Sequence, residues 1–434
     1  MSRGLIIAAP ASATGKTTIT LGLLRALKRA GMNPHSLKVG PDYLDPGFHR
    51  AASGAACLNL DMWAMRPGTF ANVVHTQQAA GQVVVAEGVM GLFDGATPSS
   101  GSTADVAAAT GWPVILVVDA GGMSSSIAAL VHGFATFRAD VQLAGVIANR
   151  VGSARHTQLL REALAPLGIP LLGSVPRDTM MSLPSRHLGL VMADEHAALD
   201  EFLEHAADVI AANVDVDGLI RIMSASRLGK PPAETRLVPL AQRIAIAKDV
   251  AFGFVYPHQL SAWRSAGAEI QLFSPLANET PAVDAEAIFL PGGYPELHAA
   301  ALAANTVFLD GLRSAANRGA RIYGECGGFM TLGETLQDAD GAIHRMAGLL
   351  PLETTFAKRK MQLGYRAVEV CSDSVLGARG TAFKGHEFHF AQVLRSGAAE
   401  PLFRGQDARG NALGEFGLQR GQVCGSFIHL VDEA

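Results

Sequence analysis

Two α/β domains in tandem are what this sequence predicts, on three observations. At 434 residues the chain is too long for a single hydrophobic core. Its first half alternates short apolar runs with helix-length stretches, the pattern of a mostly parallel sheet covered on both faces. That alternation then breaks in a polar, proline-bearing stretch and restarts with a fresh apolar strand.

Leu5 to Ala9, Ser36 to Val39, Val83 to Ala86, Val114 to Asp119 and Leu143 to Asn149 are apolar runs of strand length and read as buried strands. Thr17 to Ala30 separates the first two, with Leu21, Leu24 and Leu27 at helical spacing. Asp215 to Leu237 holds Lys230-Pro231-Pro232 among polar residues and reads as a linker. The boundary is placed near Thr235, giving domains 1–234 and 235–434. Strands resume at Arg243 to Lys248, Ala287 to Leu290 and Arg321 to Gly324, and a β-rich tail follows Leu349.

Composition excludes several classes. A net charge of −4 leaves no basic footprint for nucleic acid or an anionic membrane. The apolar run Leu5 to Ala9 is too short for a secretory core, and no run approaches membrane-spanning length. A cytoplasmic protein with no nucleic-acid or membrane partner is therefore expected. Cys57, Cys326, Cys371 and Cys424 are scattered without a CxxC pair, so neither a zinc site nor a disulfide framework is indicated.

Two motifs carry chemistry. In Arg321-Ile322-Tyr323-Gly324-Glu325-Cys326-Gly327-Gly328, an apolar strand ends in a glycine-rich turn before a new helix. Such a turn exposes a nucleophile to backbone N–H groups that stabilise a thiolate and an oxyanion. In Pro10-Ala11-Ser12-Ala13-Thr14-Gly15-Lys16-Thr17-Thr18, Gly15-Lys16-Thr17 follows a strand and opens a helix, the setting of a phosphate-binding loop. Pro10 takes the place of the usual first glycine. Lys16 is expected at the β/γ-phosphates and Thr17 on Mg²⁺. Acidic clusters follow the second and third strands: Lys38-Val39-Gly40-Pro41-Asp42-Tyr43-Leu44-Asp45 and Glu87-Gly88-Val89-Met90-Gly91-Leu92-Phe93-Asp94. Ligands bind at such strand ends in open α/β sheets. A lone Asp there is more often a turn former. Four acids flanking two glycine-rich turns, with Lys38 at a strand end, favour a metal–phosphate site.

The strings KVGPDYLDPGFH, EGVMGLFDG, LPGGYPEL, YGECGGFM, GHEFHF and GSFIHL, in that order across nearly the whole chain, resemble those of the cobyrinic/hydrogenobyrinic acid a,c-diamide synthases. The resemblance implies a P-loop, dethiobiotin-synthetase-like domain followed by a class I-like glutamine amidotransferase domain. It also implies ATP- and glutamine-dependent amidation of two corrin carboxylates, a and c. ATP and glutamine are then co-substrates, a corrinoid the small-molecule partner and Mg²⁺ the cofactor. A homodimer stays open, and the sequence does not say whether the ring holds cobalt.

Carried across on matching positions, Thr17, Asp42 and Glu87 hold the metal, and Asp45 and Asp94 lie near substrate or metal. Lys38 sits beside the transferring group. Ala13, Thr14, Gly15, Lys16, Thr17 and Thr18 bind ATP, Asn149 reads the base, and Pro176 in Val175-Pro176-Arg177 flanks it; a turn role for Asn149 stays open. Cys326 attacks glutamine and His429 serves as its base, while amides of Gly292, Gly293 and Gly327 form the oxyanion hole. Val431 stands two residues after His429, where many class I amidotransferases have Glu, so a Cys-His dyad is expected, with any orienting carboxylate supplied from elsewhere. His386, Glu387 and His389 are expected on a strand, not converging on a metal. The other three cysteines are taken as structural. The alternatives are an amidotransferase on another tetrapyrrole, such as nickel-sirohydrochlorin or the b,d,e,g-type cobyric acid amidations, and a ParA-like regulatory ATPase. The latter leaves Cys326 and His429 unexplained.

Overall fold

The computed structural model describes residues 2–183, 185–186, 189–229 and 237–434. They fall into two compact units, Met1–Trp63 with Pro67–Ala233, and Ala64–Arg66 with Glu234–Ala434. The boundary expected near Thr235, with Lys230-Pro231-Pro232, lies outside the described residues. Asp215 to Ile222, expected as linker, is instead helical over Val216–Ile222, because the Asp215 side chain caps it at the Gly218 amide.

The first unit is built on seven parallel strands in the order Cys57–Leu60, Pro34–Val39, Val83–Glu87, Arg3–Ala8, Val114–Asp119, Leu143–Val151, Leu171–Pro176. The five strands expected from apolar runs form its centre and most of its width. Leu5, Ile7, Val83, Val85, Ile115 and Val117 point into one core beneath helix Lys16–Arg29. This is the doubly covered sheet that near-continuous apolar strands dictate.

The second unit carries a six-stranded sheet in the order Glu269–Phe273, Arg243–Ala247, Ala287–Leu290, Arg321–Glu325, Val423–Ser426, Leu418–Arg420, of which the last alone runs antiparallel. Its residues alternate between faces: Ile288, Leu290 and Ile322 enter one core, Ala287, Phe289 and Tyr323 the other. After Ser426 the chain switches sheets. Ile428–Glu433 pairs with Ala382–His389 in an antiparallel sheet that continues through Gln362–Val370, Phe403–Asp407 and Ala412–Phe416. The β-rich tail expected after Leu349 supplies this sheet, two strands of a smaller mixed one, and the last two strands of the six-stranded sheet. The second unit also takes in Ala64–Arg66, where Arg66 donates to the buried Asp432 carboxylate from its amide at 2.9 Å and its guanidinium at 2.7 Å.

Candidate active sites

In the first unit the loop between Ala8 and Lys16 wraps backward through two left-handed residues, Ala13 at φ 62° and Gly15 at φ 96°. A side chain at Gly15 would strike the Asn149 amide at 2.2 Å, so the position tolerates only glycine. Ala13, Gly15, Lys16, Thr17, Thr18, Asn149 and Pro176 line one cavity of 420 Å³ together with Asp45, Arg150 and Arg177. Sequence reasoning gave a role to each of these but the two arginines, which it met only as neighbours of Asn149 and Pro176. Asn149 is engaged within the loop, its Nδ2 donating to the Thr14 carbonyl at 2.8 Å and its Oδ1 accepting from the Arg150 amide at 2.9 Å. These bonds tie it to the phosphate loop. Lys16 Nζ lies across the loop, 3.3 Å from the Ala11 carbonyl, and burial lowers its pKa.

At the strand ends the charges interlock. Lys38 Nζ is buried and donates to Asp45 Oδ2 at 2.5 Å and Glu87 Oε1 at 2.9 Å. Thr17 Oγ1 donates to Glu87 Oε1 at 2.6 Å and approaches Asp45 Oδ2 at 3.4 Å. Burial alone would lower the Lys38 pKa, but Asp45 and Glu87 hold it well above the ordinary lysine value. Burial likewise presses Glu87 upward, yet Lys38, His49 and Thr17 keep it well below the usual carboxylate range. Asp45, buried and near Asp42, is raised.

The carboxylates beside Thr17 are therefore Glu87, as expected on the metal, and Asp45, expected near substrate or metal, while Asp42, also expected on the metal, is turned to another contact. Asp42 Oδ1 instead accepts from the amides of Leu44 and Asp45, starting helix Asp45–Ser53, and its other oxygen stands 3.9 Å from Lys38. Asp94 holds its own turn at the Gly91 amide, 2.8 Å away. His49, unremarked in the sequence, fixes Glu87 Oε2 at 2.7 Å, with Cys57 Sγ 3.5 Å from its other nitrogen. Thr17, Asp45 and Glu87 offer oxygen donors of the kind Mg²⁺ takes. Among the described residues no group of three or more His, Cys, Asp or Glu forms a cage. The set therefore fits a cation whose shell phosphate and water complete.

In the second unit Cys326 follows strand Arg321–Glu325 at φ 45° and precedes helix Gly327–Leu332, the strained elbow the sequence predicts. Burial pushes its thiol up, nearby Glu296 adds to this, and the Gly327 amide opposes it. Burial thus works against the thiolate, and the Gly327 amide works for it. The Gly293 amide nitrogen comes within 3.1 Å of where a Gly327 side chain would begin, so only a residue without one lets these two oxyanion candidates lie so close. Gly292 also borders the base. A side chain there would meet the His429 ring at 2.3 Å, and its absence makes room for the imidazole.

His429 stands just past the sheet switch, opposite His386 in the ladder, and the two rings stack at 5.0 Å and 10°. His386 accordingly forms a wall of this site, held by the Tyr256 hydroxyl at 2.8 Å. Burial holds His386 down to about 3 and His429 well below its ordinary value, so both rings rest neutral. Glu387 pairs with Arg366 at 2.8 Å and His389 at 2.8 Å, forming no metal cluster with His386. Glu325, just before the nucleophile, is buried with one oxygen 3.8 Å from His429 Nδ1. Burial drives it up to about 8, against the Leu430 amide and Tyr323 hydroxyl. The described helices include none long and apolar enough to cross a membrane.

Comparison with known proteins matches residues 5–191 to the CobQ/CobB/MinD/ParA nucleotide binding domain and residues 243–434 to the CobB/CobQ-like glutamine amidotransferase domain. A hydrogenobyrinate a,c-diamide synthase of Brucella suis biovar 1 is 56% identical over 434 residues, covering 99% of this chain and 98% of its own. That of Sinorhizobium sp is 52% identical, covering 99% of each. That of Mesorhizobium japonicum is 48% identical, covering 100% of this chain and 99% of its own.

Proposed function

Because the chain belongs to the hydrogenobyrinate a,c-diamide synthase family, we propose that it uses ATP and glutamine to amidate the a and c carboxylates of hydrogenobyrinate. It is then a carbon–nitrogen ligase. The observation that carries this reading is full-length identity of about half or more with relatives of that name.

The chemistry divides accordingly. A carboxylate is a poor electrophile, so its oxygen takes the γ-phosphoryl group of ATP, releasing ADP and leaving an acyl phosphate. Ammonia then attacks the carbonyl carbon, the C–O bond to phosphate breaks, and an amide remains. Lys16 and Lys38 offset charge on the phosphoryl oxygens, and the loop amides orient them. Thr17, Asp45 and Glu87 would hold Mg²⁺, which supplies neutralisation of the phosphate charge.

Ammonia arises in the second unit. The Cys326 proton passes to neutral His429 as sulfur bonds to the glutamine amide carbon. The resulting imidazolium returns that proton to the departing nitrogen, and the C–N bond breaks. Water hydrolyses the thioester to glutamate. A regulatory ATPase is disfavoured by the amidotransferase match over 243–434. The relatives' names favour hydrogenobyrinate over cobyrinate.

The test is direct. Purified protein with ATP, Mg²⁺ and glutamine should convert hydrogenobyrinic acid to its diamide, followed by mass spectrometry, and prefer it to cobyrinic acid. Amidation of neither ring would overturn the reading.

A further inference from the structure

His429 lacks the carboxylate that class I-like sites place two residues on, because Val431 is buried there. We propose that Glu325 is the positioning carboxylate of His429, supplied from the nucleophile's own strand. The inference rests on His429 being the base.

The geometry has three parts. Glu325 Oε2 lies 3.8 Å from His429 Nδ1, with the two side chains 3% and 1% exposed. The other carboxylate oxygen, Oε1, is held by the Tyr323 hydroxyl at 3.1 Å and by the Leu430 amide at 3.1 Å. The second of these donors is the residue next to His429, so the carboxylate is tied to the base's own strand. Strand register fixes the rest: Glu325 pairs with Ser426 in the parallel sheet, three residues before His429. The rival acid, Glu387, is committed to Arg366 and His389.

A carboxylate at Nδ1 favours the tautomer with its proton on Nδ1, leaving Nε2 to take the thiol proton, and it steadies the imidazolium that follows. A separation of 3.8 Å exceeds a hydrogen bond, but catalytic contacts in ligand-free sites commonly tighten only with substrate in place. Placing the acid beside the nucleophile lets one strand end position both partners.

Glu325→Gln in the full chain keeps an oxygen for Tyr323 and Leu430 and removes the acid that can turn negative as the imidazolium forms. Glutaminase kcat should fall at least ~10-fold with the KM for glutamine within about 2-fold, as for loss of a base's orienting group. Stoichiometric alkylation of Cys326 by a glutamine-like diazoketone, at a slower rate, serves to show an intact pocket. Glu325→Asp, which retains an ionisable carboxyl group, should exceed Glu325→Gln in kcat. A Glu325→Gln kcat within about 2-fold of the parent, while His429→Ala is inactive, overturns the proposal and leaves the base assignment standing. An active His429→Ala overturns the base assignment itself. A higher KM at unchanged kcat, or Glu325→Asp no better than Glu325→Gln, also sinks it.

Discussion

The two sites handle charge in opposite ways. Around the phosphate loop Lys38, Asp45, Glu87 and His49 are ionic partners packed against one another, with Lys38 held well above and Glu87 well below their ordinary pKa values. Around the thiol, burial raises the Cys326 pKa and lowers those of His429 and His386, favouring the uncharged form of each. The contrast follows from the chemistry. A phosphoryl-transfer site binds an anion and a metal, so paired charges can be exchanged for new partners without bringing bare ions into the interior. A thioester-forming site gains most from groups that become charged only as the bond forms, since stabilisation confined to the transition state is what raises kcat. One site stores charge; the other develops it.

The widest break in that comparison comes from removing the thiol chemistry alone. Cys326→Ala should abolish glutamine-dependent amidation and spare amidation driven by an ammonium salt. His429→Ala should lower glutaminase turnover at least ~100-fold, the scale of a positioned general base, and also spare the ammonium reaction. Equal loss with both nitrogen donors would mean that the sites do not divide the work as their charge states suggest.

A somewhat smaller effect is expected at the stored charges. Asp45→Asn and Glu87→Gln remove one negative charge each from the Lys38–Thr17 cluster at nearly constant volume. Each should cut amidation ~10- to 100-fold with glutamine or ammonium alike and raise the Mg²⁺ concentration needed, since a lost metal carboxylate weakens the cation site. Basal glutaminase should persist. Titrating Mg²⁺ against amidation rate checks this, and an unchanged metal requirement in both variants would remove these residues from the metal.

Much of this contrast was legible in the chain, and the missing part has a physical reason. Apolar runs announced the five central strands, and Gly15-Lys16-Thr17 and Glu325-Cys326-Gly327 announced the two elbows, because strand, turn and helix start are local signals. The edge strand Cys57–Leu60 escaped because it is four residues long and carries Asn59, which is buried to hold the carbonyls of Gly40 and Asp42. Helix Val216–Ile222 was hidden by the polar stretch around it, although Asp215 before it is a capping residue. The meetings of Glu325 and of His386 with His429 had no local signal. They depend on a chain that leaves one sheet at Ser426 and enters another at Ile428.

The choice between Asp42 and Asp45 gives the finest test. Pro46 follows Asp45 at the start of the helix, so Asp42, three residues earlier, stands where a side chain caps the first free amides. Its Oδ1 is taken up by Leu44 and Asp45, and it reaches Lys38 only at 3.9 Å. Asn at this place retains the accepting oxygen, so Asp42→Asn should keep the helix start and with it the placement of Asp45. What it loses is one charge 3.9 Å from Lys38, on a side chain 26% exposed and therefore partly screened by solvent. Amidation should therefore fall less than ~3-fold with an almost unaltered Mg²⁺ dependence, against the much larger loss in Asp45→Asn. Side-by-side rates and Mg²⁺ titrations of the two variants decide it. Equal losses would return Asp42 to the metal and show that ligand binding redraws the carboxylate cluster around Thr17.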